Sequence, residues 1–170
     1  MQIHVTSLQA AALTSADHKL KHVISFVDPT QNVPQYPHVK KQNHLILKLH
    51  DISETRSGLV MPARDHVMEM IDHMLRHDWR KDILIHCLMG ISRSTAAAYI
   101  MLNLHYEGRE LEIAQYLRSK IPHANPNKMI IQHADNILGR EGRMISAIAS
   151  LPNPDMSSAG LPMTISTEFV

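Results

Sequence analysis

Three short apolar runs rich in β-branched residues, each closed by a polar or turn-forming pair, punctuate the first half of the chain. They are HVISFVDP (22–29), HLILKLHD (44–51) and DILIHC (82–87). Runs of this length, too short for helices and bounded by turn residues, predict buried strands. The triplet IHV near the start is a candidate fourth. Between the second and third runs lies ARDHVMEMIDHMLRHDW, where Val67, Met70, Ile71, Met74 and Leu75 recur at helical spacing. Those methionines read as core packing, since Met fills irregular gaps in apolar interiors.

After Arg93 the pattern becomes helical throughout. STAAAYIMLNLHYEG is stopped by Gly108, ELEIAQYLRSKI is halted by Pro122, and PNKMIIQHADNILGR runs from Pro126 to Gly139. EGRMISAIASL adds a short last helix. Strands alternating with helices, then helices alone, predict an α/β domain over residues 1–150. Its centre is a mainly parallel sheet of about four strands flanked by helices. Residues 151–170 carry three prolines and little periodicity, which predicts a C-terminal tail. In parallel sheets, ligands bind beyond the carboxyl ends of the strands. That rule brings Asp28, Asp51 and Cys87 to one edge.

Composition narrows the possible partners. With 44% hydrophobic and 19% charged residues the chain is globular, and a formal charge of +1 without a dense Lys/Arg run argues against nucleic acid. No apolar run approaches the roughly 20 residues of a membrane helix. The N-terminus lacks the basic and apolar regions of a signal peptide. One cysteine forms no intrachain disulfide, so a reducing cytoplasm is the expected compartment. Thirteen histidines invite a metal reading. His66, His73 and His77 share one predicted helix, but no accompanying ligand pattern makes them more than surface histidines, and no metal is expected.

The lone cysteine stands in ILIHCLMGISRST (83–95), between a strand and the start of a helix. Backbone N–H groups there have no helical acceptor, and the helix dipole adds partial positive charge. A loop formed by Leu88, Met89, Gly90, Ile91 and Ser92 would be a nest for a tetrahedral anion such as phosphate. Gly90 eases the turn, and Arg93 adds a two-pronged donor for two phosphate oxygens. These positive ends favour a thiolate at Cys87, placed for attack on phosphorus. The leaving alcohol needs a proton. Asp51, which opens the polar loop DISETRSG, is the best-placed acid, with Asp28 second and Glu54 third. Ser94 can donate to the sulfur when the phosphoenzyme breaks down.

The segment HCLMGISRS resembles the signature of the cysteine-dependent protein tyrosine phosphatase superfamily, His-Cys-x2-Gly-x2-Arg-Ser/Thr. The aspartate loop HDISE, the later HANPNK and LGREGRM are similar to its compact dual-specificity-like and small bacterial branches, over roughly residues 20 to 150. The resemblance implies a cofactor-independent hydrolase of phosphate monoesters, acting on phosphorylated proteins or small phosphate esters. It implies Cys87 as nucleophile, Arg93 as phosphate ligand, Asp51 as general acid and then base, and Ser94 as helper in breaking down the intermediate. His86 would hold the loop from below, and Asn127 would brace the site, although Asn-Pro-Asn is also an ordinary helix start. Met89 stands where small residues are common in the family. The loop carries no lysine, which makes inositol lipids a poorer fit.

Two other readings stay open at this level. A phosphate-binding module without activity would keep the loop, and a rhodanese-type sulfurtransferase can share Cys-x5-Arg. Tyr36, in PTQNVPQYPHV, could form an aromatic wall for a substrate ring, and Arg56 could meet an acidic flank. Oligomeric state has no sequence signal.

Overall fold

The computed structural model describes residues 1–168, and its strands follow the apolar runs closely. They are β1 (Gln2–Ser7), β2 (Val23–Val27), β3 (His44–Lys48), β4 (Ile83–Cys87) and β5 (Met163–Ser166). The sheet order is β3-β2-β4-β1-β5, parallel except for β5. β2 and β4 are buried at every position, as strands covered on both faces must be, whereas β3 at the edge alternates between buried and exposed.

The helices are α1 (Leu8–Asp17), α2 (Arg64–Leu75), α3 (Arg93–His105), α4 (Glu110–Lys120), α5 (Lys128–Ile137) and α6 (Arg143–Ala149). α3 is the central helix. It is buried from Arg93 to Asn103, and its run Ala96–Ala98 lets the backbone approach the sheet closely. A helix apolar all round belongs in a core. Around it Phe26, Leu47, Met70, Ile85, Leu117 and Ile131 form one continuous cluster. Each such buried side chain contributes about 1.5–3 kcal/mol of transfer free energy. A smaller cluster of Ala11, Leu20, Val23, Tyr36 and Leu84 packs α1 and the segment 29–39 together.

Two elements depart from the sequence pattern. α1 lies in a stretch whose three successive alanines carry no clear amphipathic stripe. The segment 151–170, read as a tail, supplies the fifth strand. Ile3 pairs with Ile165 and Val5 with Met163, Ile165 is 1% exposed, and Tyr106 and Tyr116 donate to the carbonyls of Thr167 and Ser166 at 2.7 and 3.0 Å. Residues 169–170 lie outside the described residues. Among the described residues no helix is long and apolar enough to cross a membrane.

Candidate active site

β4 ends at Cys87, and α3 begins at Arg93, so the five residues between them turn over the carboxyl end of the sheet. The turn is held from outside through its carbonyls. Leu88 O accepts from Leu8 N–H at 3.2 Å, Ile91 O from Asn125 N–H at 2.9 Å and Ser92 O from Asn127 N–H at 3.3 Å. The Thr95 hydroxyl donates to Ile91 O and Ser92 O at 2.5 and 3.0 Å. By contrast, none of the N–H groups of residues 88–92 has a protein acceptor among the described residues. A loop whose carbonyls face the protein and whose N–H groups are unclaimed is an anion nest.

Gly90 makes the close turn possible. Its φ is +73°, and a Cβ there would lie 2.9 Å from the Thr6 carbonyl carbon and 3.0 Å from Ser7 N. Both contacts are to backbone at the end of β1. Gly90→Ala combines left-handed strain with overpacking and should destabilise the fold by about 2–4 kcal/mol in urea titrations. A change below about 1 kcal/mol would mean that the loop can move off β1 at little cost.

Cys87 Sγ is buried and lies 3.2 Å from Ser94 Oγ. Arg93 is 1% exposed, and its Nη1 donates to Asp28 Oδ1 at 2.7 Å and to Leu49 O at 2.6 Å. Among the described residues its Nε has no hydrogen-bond partner despite complete burial, and Nη2 donates to none. One edge of the guanidinium is therefore anchored and the other is left for a ligand. Asp28 is thus placed as the support of Arg93, a role the sequence does not suggest.

Asp51 is held at the same edge. Its Oδ1 accepts from Ser92 Oγ at 2.7 Å and from Asn127 Nδ2 at 2.8 Å, while Oδ2 lies 3.9 Å from Arg93 Nε. Ser92 directs its hydroxyl at Asp51 and makes no helix cap. Asn127 holds the aspartate and also caps α5, its Oδ1 accepting from Met129 and Ile130 N–H, both at 3.1 Å. Asp51, Glu54, Ser92, Asn127 and Lys128 line a cleft of about 600 Å3.

Below the loop lies a polar link through the sheet. His86 Nε2 and His44 Nε2 each lie 2.7 Å from Ser25 Oγ. Ser25 has one hydroxyl hydrogen, so it donates to at most one imidazole and accepts from at least one. Burial, followed by the neighbouring His44, pushes His86 down to about 4 against the pull of the Cys87 backbone, so the ring behind the cysteine is neutral at pH 7. The signal for this link is Ser25 itself, a polar residue inside the otherwise apolar strand VISFV, but its partners follow only from strand pairing.

Other sequence candidates lie elsewhere. Tyr36 is 8% exposed, with its ring 5.1 Å from that of His44 and 6.2 Å from that of His86. It is part of the small cluster beneath the loop and no wall for a ligand, because the segment 29–39 folds back over α1. Arg56 is exposed on the loop after Asp51. His66 Nδ1 accepts from Ala63 N–H at 3.1 Å, and His77 Nε2 lies 2.8 Å from Lys81 O. Among the described residues no group of three His, Cys, Asp or Glu side chains could hold a metal ion.

Residues 4–135 match the family model of the dual specificity phosphatase catalytic domain. The chain belongs to this family. It is a phosphatase of the protein tyrosine phosphatase type, and its substrates are phosphorylated. The phosphatase domain of Yvh1 from Chaetomium thermophilum is 22% identical, with a TM-score of 0.62 over 84% of this chain and 93% of that one. A variant of human DUSP28 is 21% identical, with a TM-score of 0.63 over 82% and 92%. The human tyrosine phosphatase-like serine/threonine/tyrosine-interacting protein is 16% identical, with a TM-score of 0.59 over 82% and 92%. These structures share the fold. No curated protein sequence matches the chain significantly.

Proposed function

We propose that the protein hydrolyses phosphate monoesters on proteins, phosphotyrosine first and phosphoserine or phosphothreonine as further substrates, through a cysteinyl-phosphate intermediate. The observation that carries this reading is the unclaimed donor set above Cys87: the N–H groups of residues 88–92 and the free edge of Arg93. Three equatorial phosphoryl oxygens would take those donors, leaving phosphorus in line with Sγ. The thiolate forms the S–P bond as the ester P–O bond breaks, and Asp51 gives its proton to the departing oxygen. Asp51 then takes a proton from water as that water attacks phosphorus. The S–P bond breaks, and the Ser94 hydroxyl stabilises the returning thiolate.

Leu88 and Met89 support the aromatic preference, since they are 42% and 51% exposed on the loop and offer apolar contact to an aryl ring. A site built on one free thiol suits a reducing compartment, the cytoplasm.

The test is turnover of p-nitrophenyl phosphate and of phosphotyrosine and phosphoserine peptides in excess chelator, with acid quenching to trap phosphate on Cys87. Chelator-resistant turnover with label on Cys87 is expected. An inactive protein that binds phosphate would point to a binding module, and sulfur transfer from thiosulfate to cyanide would point to rhodanese chemistry.

A further inference from the structure

The cleft beside Asp51 and Ser92 continues into a second groove. Asn125, Pro126, Lys128 and Gln132 line both the cleft and this neighbouring groove of about 520 Å3. Beyond that shared boundary the lining turns apolar, with Ile131 from α5, Ile145 and Ile148 from α6, and Leu151 and Pro154 after it. Ile145 is 41% exposed, an uncovered branched side chain.

The far wall is anchored. Arg118 on α4 donates to the carbonyl of Pro152 and, at 2.8 Å, to that of Ala124. Asp155 N–H donates to Pro122 O at 3.0 Å. These bonds pin residues 152–155 against the turn between α4 and α5. The wall and α6 lie beyond the residues matched by the family model, which end at 135. The groove is therefore built jointly by matched residues of α4, α5 and the turn between them and by the segment that follows the match.

Its charge is one-sided. Arg118 and Lys128 are its ionic lining residues, and no carboxylate is among them. Arg118 is engaged with carbonyls, whereas Lys128 is exposed, forms no ion pair among the described residues, and stands on the boundary with the cleft. A small phosphate ester held over Cys87 would leave this groove empty. A polypeptide extending from the phosphorylated side chain, at about 3.3–3.6 Å per residue, would cross the boundary within a few residues.

We infer that this groove is a docking subsite for the phosphoprotein substrate, taking an apolar side chain a few residues from the phosphorylated one while an acidic side chain between them meets Lys128. The inference rests on the phosphatase reading above and gives it a substrate class. Recognition by apolar burial plus one charge selects sequence context, and burying one such side chain is enough for about tenfold discrimination.

The test moves a single leucine through positions −5 to +5 of a phosphotyrosine peptide, with aspartate at intervening positions, and measures kcat/KM. One position should raise kcat/KM about tenfold, and the gain should vanish in Ile145→Asp and shrink in Ile145→Ala. Both variants should hydrolyse p-nitrophenyl phosphate like the wild type, because Ile145 lies outside the cleft. No positional effect, or a gain that survives Ile145→Asp, overturns the inference. So does a flat peptide scan accompanied by Ile145-dependent hydrolysis of a phosphoinositide in mixed vesicles, which would assign the groove to an acyl chain. Turnover of p-nitrophenyl phosphate tests the phosphatase reading separately. Were it absent, the same leucine scan read as peptide binding by fluorescence polarisation would still decide the groove.

Discussion

Cys87→Ser should reduce aryl phosphate hydrolysis by about 10^5-fold or more, the scale on which removing a nucleophile from a preorganised site acts. Serine is the smallest steric change available, and its hydroxyl stays protonated at neutral pH with no adjacent base to activate it. Ser94 Oγ, 3.2 Å from the sulfur, is itself a hydroxyl and no such base. The anion nest does not depend on the thiol. Its carbonyls are held by Leu8, Asn125, Asn127 and Thr95, and Arg93 is anchored by Asp28 and Leu49. The variant should therefore retain phosphate binding within about threefold by calorimetry while losing turnover, which separates loss of chemistry from loss of structure. Retention of more than a hundredth of the activity would remove Cys87 from the reaction. Equal loss of binding and turnover would mean that the thiol holds the loop in shape.

The legibility of this protein in its sequence follows the physics of each element. β2 and β4 are visible because strands covered on both faces must be continuously apolar, and VISFV and ILIHC are so apart from the Ser25 and His86 they enclose. The placement of Cys87, Asp51 and Asp28 at one edge follows from parallel strands sharing a direction. α1 and β5 are not visible. α1 has small residues spread around its surface, and β5 has four residues whose single fully buried side chain is Ile165. Both depend on the sheet for their order, so neither carries a pattern of its own. In the site, residue types foretell what the loop can bind, but not what anchors it. Asp28 as the partner of Arg93, the Ser92 hydroxyl on Asp51, and the His44–Ser25–His86 link all depend on strand register and loop path. Asn127 shows the same limit from the other side, since one side chain both caps a helix and holds an acid, and local sequence displays only the cap.

Asp51→Asn should lower kcat for a phosphotyrosine peptide by about 10^2–10^4-fold, the range of a positioned general acid. The two carboxylate oxygens are not equivalent. Oδ1 is taken by the Ser92 hydroxyl and the Asn127 amide, both donating to it, so that oxygen stays an acceptor. Among the described residues Oδ2 makes no hydrogen bond; it lies 3.9 Å from Arg93 Nε and is the oxygen able to carry a proton towards a leaving group. Asparagine keeps the acceptor for Ser92 and Asn127 and replaces Oδ2 by an amide nitrogen that cannot act as an acid, so the loop geometry should survive the change. One signature then identifies the missing function. The defect should shrink for p-nitrophenyl phosphate, whose phenolate leaves without a proton, and be larger for phenyl phosphate. A uniform defect across leaving groups would transfer the acid role to another carboxyl at this edge, with Glu54, which lines the same cleft, the next to test. Asp28 is the weaker successor, because its carboxylate is already paired with Arg93 at 2.7 Å and donating a proton would give up that pairing.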